Sequence, residues 1–453
     1  FLPVLLPGRS VEDIPQWLGP YSTTHYPIAE ISDTGAGMET LLRVLTGQPF
    51  EIEPPLKPGT RPVLPPRDVA VPGAPPPAGS RAGTGGRDGS RRGSLTHEIV
   101  LAVRLADGWL TTRTVLGDTV LGERATALPL GLGTVWTAQP ADPAGADAYL
   151  SDAGHRLRDA LFDAGTARHL TELIDAAPFG TVVDIVVEAD GPALALPYEL
   201  LRLAGGGGRP LVTMPGVRLA RRVAGLSRQG MPSRVATPPL PGPLKILVAV
   251  AAPDETRTRN APLDVEAEMQ AIIDAVQPVA GTGAAQVTIL EVAGLTEIAD
   301  ALGGRSAAGD AGYRVDDSYH VLHLSAHGSP SSAELEDEDG NPVTIGAQEL
   351  VDALKGASRP LPLIVLASCS GAARTEGLAE SLVRGGADRV VAMQTTVTDR
   401  YATDLARVFY AELATGRAES VAAALAEARR RVDADRQAAA RATGRLAAPE
   451  YAT

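Results

Sequence analysis

Five short apolar runs in the second half of the chain constrain its fold more than any other feature. They are 244–250 (LKILVAV), 286–291 (QVTILE), 319–325 (YHVLHLS), 361–368 (LPLIVLAS) and 389–393 (RVVAM). Between them lie segments with helical spacing at 264–276, 296–302, 347–355 and 376–385, and two further helical segments follow at 399–414 and 418–435. The runs are nearly continuous rather than alternating, the pattern of parallel strands buried on both faces. Strand and helix in strict alternation imply an α/β fold: a mostly parallel sheet flanked by helices on both faces.

The rest of the 453-residue chain divides by composition into further regions. Residues 1–50 carry apolar segments and aromatics, and METLLRVLTG has helical spacing closed by Gly47. Residues 51–94 hold no aromatic and are dominated by Pro, Gly, Arg and Ser. Such a segment cannot bury enough apolar surface to offset its ordering entropy, so a flexible linker is expected there. Residues 95–235 regain a globular pattern and are expected to form an N-terminal α/β subdomain. HEIVLAVRLA and TVVDIVVEAD read as strands, SDAGHRLRDALFDAG as a helix ending at Gly165, and LALPYELLRL as a strand or loop entering a short helix. The tetraglycine at 205–208 lacks the Gly-Lys-Ser/Thr of a phosphate-binding loop. A Pro-rich joint at 236–243 opens the strand-rich half, 236–435, and residues 436–453 read as a tail.

A formal net charge of −13 argues against a general nucleic-acid binder, which needs a basic surface. No apolar stretch approaches the ~20 residues that span a bilayer. The single cysteine, Cys369, excludes an intrachain disulfide and a thiolate zinc cluster, and a reducing compartment, the cytoplasm, is the natural reading. The chain opens with FLPVLLPG, without a basic leader, and stops after APEYAT; the expectation is a segment of a longer polypeptide.

Two of the chain's 7 histidines, His323 and His327, fall in LHLSAHGSP. On a strand they lie ~13 Å apart and cannot share a metal. A helical HExxH site is excluded by the following Gly and Pro and by Ser where Glu is required. His323, deeper in the strand, reads as a core or supporting histidine. His327 lies just past the carboxyl end of its strand, the edge at which parallel α/β sheets bind ligands. The next strand runs into Cys369 at its own carboxyl end, followed by Ser-Gly. If the two strands are neighbours, ~4.8 Å apart, their tips bring an imidazole and a thiol together. A thiol of pKa ~8.5 is mostly protonated at neutral pH, and a neighbouring imidazole favours the thiolate nucleophile. Backbone N–H groups of Gly328 and Cys369 would face the oxyanion, and glycine at 328 leaves room for a substrate backbone.

The stretch HLSAHG…ELEDEDGNPVTIGAQEL…LPLIVLASCSGA…EGLAESLVRGGADRVVAMQTTVTDRYATDLARVFYAELATG resembles the CHAT domain, a caspase-like family related to separases. The matching features are His-Gly after a strand, a hairpin with Asp-Gly, a strand ending in Ser-Cys, a Val-Val strand and a Phe-Tyr helix. The resemblance covers roughly 95–435, including LPYELL at 196–201. It implies a cysteine peptidase of the caspase-like clan with a His–Cys dyad, here His327 and Cys369, and no cofactor or metal. Met393 and Gln394 depart from the Leu-Trp pair of many such domains. FLPVLLPG, VEDIPQWL and METLLRVLTG resemble the C-terminal part of a TIR domain, a flavodoxin-like fold. Glu12, Glu30 and Glu39 do not match the catalytic Glu of NAD-cleaving TIR domains.

Other candidates have simpler readings. ELEDEDGN lacks the spacing of a calcium loop, and Asp339-Gly340 is a hairpin signal. Asp399 reads as a helix cap and Glu199 as structural, while Ser325 is placed to hydrogen-bond near His327. The expected protein is a bacterial TIR–CHAT signalling or defence effector that cleaves protein substrates, with TIR-mediated association and sensor domains beyond this segment. The alternative is a non-catalytic docking module.

Overall fold

The computed structural model describes residues 4–5, 26–27, 96–177, 181–203, 208–226, 243–254, 256–258, 260, 263–290, 292–303, 319–329, 331–355, 361, 363–367, 377–444 and 449–450. The expected linker, the Pro-rich joint up to residue 242, most of residues 1–50 and Cys369 lie outside the described residues. The chain separates into two compact units, Phe1–Asp88 and Gly89–Thr453. In the first, β1 (Val4–Leu5) and β2 (Tyr26–Pro27) pair in parallel.

The second unit contains two five-stranded sheets. The first has the order β5-β4-β3-β6-β7, with β3 (Thr96–Ala106), β4 (Trp109–Leu116), β5 (Thr119–Ala127), β6 (Val182–Ala189) and β7 (Val217–Val223). Strand β3 buries alternate residues, Ile99, Leu101 and Val103, as the period of two requires. Asp107 and Gly108 turn the chain into β4 with φ of 50° and 77°, the left-handed pair of a tight hairpin turn. Helix α1 (Pro143–Leu161) covers this sheet, capped by Asp142, and buries Leu150, Ala153, Leu157 and Leu161. It ends at Leu161 rather than at Gly165. The Asp163 side chain accepts from Thr166 N and starts a second helix, α2 (Ala164–Asp175), so a capping residue overrides the glycine stop. LPYELL forms a buried 3-10 turn at Tyr198–Leu200.

The second sheet is wholly parallel, in the order β15-β14-β10-β8-β9, from β8 (Leu244–Val250), β9 (Ala285–Leu290), β10 (Val321–Ser325), β14 (Leu363–Ala367) and β15 (Val390–Ala392). Both faces are covered. Ile246, Val248, Val321, Leu363 and Val365 pack in a core with Ile272 of α3 (Val265–Ala280) and Leu405, Phe409 and Tyr410 of α7 (Asp399–Ala414). On the other face Leu247, Leu322, Leu324 and Ile364 meet Ile298 of α4 (Leu295–Gly303), Leu350 of α5 (Ala347–Lys355) and Leu382 of α6 (Leu378–Arg384). Burying each such side chain contributes roughly 1.5–3 kcal/mol. The mixed α/β, caspase-like architecture expected from the apolar runs is the one observed. The last helix, α8 (Val421–Thr443), runs eight residues beyond the expected end at 435.

Buried ion pairs join the two sheets' layers. Arg218 on β7 meets Asp184 on β6 with Nε–Oδ1 2.5 Å and Nη2–Oδ2 2.8 Å, and reaches Glu419 at 2.6 Å. Glu199 in the 3-10 turn accepts both guanidinium arms of Arg221, and Arg429 of α8 lies 3.7 Å away. Its place is structural. Burial alone would raise the Glu199 pKa, but the charge and hydrogen bonds of Arg221, with Arg429 beyond, outweigh it and lower it. A depressed carboxylate adds stability above its ordinary value and gives it up as pH falls through the lowered one. Glu199 is therefore expected to contribute to the loss of stability as the pH falls below 4.5. Glu199→Gln is expected to cost about 3 kcal/mol at neutral pH and to flatten the loss of stability on acidification, read from urea midpoints between neutral and acid pH.

Candidate active site

The parallel sheet reverses its winding between β8 and β10: β9 lies on one side of β8, and all later strands lie on the other. A cleft forms at the carboxyl ends of strands at such a point. Ser325 at the end of β10 is in register with Ala367 at the end of β14, and His323 with Val365. The two strands anticipated as neighbours are therefore adjacent, parallel and level at their carboxyl ends.

After Ser325 the chain leaves the sheet through buried Ala326. His327 and Gly328 form a short strand, β11, which pairs antiparallel with β12 (Ser332–Glu336), opposite Glu334 and Ala333. His327 thus lies just past the carboxyl end of β10, where the sequence reading puts it. Pairing with β12 takes over, and β11, β12 and β13 (Pro342–Gly346) form a separate small sheet. The β12–β13 hairpin turns at Gly340 with φ of 72°, the turn read from Asp339-Gly340. Asp337 ties that turn by accepting from the N–H groups of Asp339 and Asn341.

His327 is half-buried and lines a shallow, solvent-open cleft. The tips of β10 and β14 supply Ser325 and Ala367, α3 supplies Glu268, and Met393, Val397 and Asp399 close the side beyond β15. Thr398 caps α7 by accepting from Tyr401 N, so Asp399 is the first helical residue rather than the cap. The Met393–Gln394 pair is buried, with Met393 in the cleft wall. Cys369 follows Ala367 by two residues and lies outside the described residues.

Behind the cleft runs a buried polar chain that the sequence does not reveal as a set. His323 is fully buried. Its Nδ1 lies 3.0 Å from the Tyr410 hydroxyl, and the rings meet edge to face at 5.6 Å. Its Nε2 lies 3.3 Å from Glu268 Oε1, too poorly aligned for a hydrogen bond. Ser325 Oγ donates to the other Glu268 oxygen at 2.5 Å. Burial, and then the charge of Glu268, push the Tyr410 pKa well up, so it stays a phenol. With that phenol as donor to Nδ1, the ring proton of His323 sits on Nε2, facing Glu268. Burial would raise the Glu268 pKa, but His323 and the Ser325 hydroxyl outweigh it and hold the group ionised. Glu268 and Tyr410 are 57 residues before and 85 after Ser325, so only the fold brings them to it.

The CHAT domain family model matches residues 152–444, more than half of the chain. This chain belongs to the CHAT domain family. None of the curated proteins matches it. The CHAT family is related to the caspase-like peptidases, and the match includes β8 to β15, His327 and the position of Cys369. Residues 95–151, anticipated as part of the domain, precede the matched segment. Among the described residues no helix is long and apolar enough to cross a membrane, and no group of three His, Cys, Asp or Glu could hold a metal ion.

The buried chain makes a stability prediction for this CHAT domain. Tyr410→Phe removes the only hydroxyl hydrogen-bonded to His323 Nδ1 among the described residues. The expected cost is about 1–3 kcal/mol, seen as a lower urea midpoint with the slope unchanged. An unaltered midpoint would contradict the hydrogen-bond assignment.

Proposed function

We propose that this CHAT domain is a cysteine endopeptidase with Cys369 as nucleophile and His327 as general base and acid. One observation carries the reading: β10 and β14 are adjacent and level, with His327 two residues beyond Ser325 and Cys369 two residues beyond Ala367. Two residues of chain reach no more than ~7 Å, which keeps the Cys369 Cα near the end of β14. His327 takes the thiol proton, and the thiolate attacks the substrate's peptide carbonyl carbon. The resulting oxyanion is met by the backbone N–H groups of Gly328 and Cys369, a contact worth ~2.7–4 kcal/mol per donor in comparable sites. As the C–N bond breaks, His327 returns the proton to the leaving amine. Water, deprotonated by the same imidazole, then hydrolyses the thioester.

The finer reading places the domain in a bacterial, cytoplasmic TIR–CHAT signalling or defence protein. Residues 1–50 form the C-terminal part of the TIR domain and 51–94 the tether. It is supported by the TIR-like motifs, the aromatic-free Pro/Gly/Arg composition of the tether, and the single cysteine. Proteins are the substrate class, and TIR domains of other copies or partners are the candidate associates.

An activity-based peptidyl probe with a thiol-reactive end group tests the dyad. Labelling is expected on the wild-type chain, none on Cys369→Ala, and at least ~10²-fold slower labelling on His327→Ala. Labelling that proceeds unchanged without His327 would favour a docking module over a peptidase.

A further inference from the structure

Among the described residues, the cleft beside His327 is lined by charges of one sign: Asp264, Glu268 and Asp399 face it from two helices, and no described Lys or Arg lines it. Asp264 caps α3, accepting from Ala267 N, and one turn later the same helix supplies Glu268. Asp399 opens α7 from the opposite side, and among the described residues its carboxylate makes no hydrogen bond or ion pair. Neighbouring Arg400 points instead to Asp404, 3.8 Å away, with its side chain 89% exposed. Apolar Leu263, Met393 and Val397 supply walls between the acids.

Glu268 adds an observation independent of the charge count. The residue is only 6% exposed, yet its Oε1 accepts no hydrogen bond among the described residues. His323 Nε2 stands 3.3 Å from that oxygen but out of line. A buried carboxylate oxygen without a donor is costly, and a donor entering from the cleft would relieve it.

The two helix N-termini at the cleft oppose this charge, because each carries roughly half a positive charge that favours anions. The sum decides the sign: about one positive charge from both termini against three carboxylates. The first turns are also occupied already. Tyr401 N is satisfied by Thr398, and Thr398 N donates to Glu450 at 2.6 Å, which brings a further acid to the α7 end. An acidic side chain would find these donors taken and the field against it.

We propose that this cleft receives the side chain of an arginine or lysine on the N-terminal side of the cleaved bond. The inference rests on the peptidase reading and names its substrate class. The aliphatic stem lies along Met393, Val397 and Leu263, and the charged head reaches the acids, with Glu268 Oε1 as the buried acceptor.

Binding and cleavage are measured separately. In the binding arm, the full chain carrying Cys369→Ala meets fluorescein-labelled peptides identical except for Arg or its uncharged isostere citrulline before the scissile bond. At least about tenfold tighter binding of the Arg peptide is expected. In a chain that also carries Asp264→Asn and Asp399→Asn, that preference should shrink towards unity; Asn keeps the α3 cap. Equal affinity for the two peptides, or a preference that survives both substitutions, overturns the pocket. In the cleavage arm, the wild-type chain meets coumarin-releasing peptides ending in Arg, Lys, Leu or Asp. Turnover confined to Leu or Asp overturns the pocket and leaves the peptidase standing. Arg-selective binding with no turnover or probe labelling would leave the pocket and remove the peptidase.

Discussion

The level pairing of β10 with β14 is the constraint on which the rest of the structure depends. Ser325 opposite Ala367 fixes where both strands end. A slip of one residue would turn His323 and Ser325 to the opposite face, away from Tyr410 and Glu268. Register is well specified here because both faces are buried and every odd and even position has its own core. The hydrophobic packing of the sheet thus determines the geometry of its rim, and the rim is where chemistry is possible.

Polar groups within that packing add precision at a cost. Burying Glu268, His323 and Tyr410 is tolerable only because each meets another polar group, phenol to imidazole and hydroxyl to carboxylate. The chain spans β10, α3 and α7, so it ties two helices to the strand that ends beside His327. On the other side of the unit, Asp184–Arg218–Glu419 and Glu199–Arg221–Arg429 bind α8 and its preceding turn to the first sheet. Such pairs contribute little net stability against an apolar alternative, but losing one partner is severe, which favours a single arrangement of the two layers.

Much of this was legible in the residues. The five apolar runs lie within a residue or two of the observed strands, because a strand buried on both faces must be apolar throughout. Helices 347–355 and 399–414 match in full. Strands β4 and β5 were missed: they are half-exposed, rich in Thr and Arg, and lack an apolar run, although the Asp107-Gly108 turn marks where β4 begins. The place of His327 past a strand end could be read, but its pairing with β12 could not, since a two-residue strand has no periodicity. Glu268 was hidden because a glutamate in an amphipathic helix reads as solvated; only the neighbouring position of β8 and β10 turns it inward to Ser325.

The central claim is that the two strand tips bring one imidazole to one thiol, and the lone cysteine makes it directly measurable. The rate of iodoacetamide alkylation of the native chain against pH reports the titration of Cys369 alone, since the chain contains no second thiol. The account predicts an inflection well below the ~8.5 of a free thiol, displaced upward when His327 is replaced by Ala. An inflection at the free-thiol value, identical in the two chains, would contradict it.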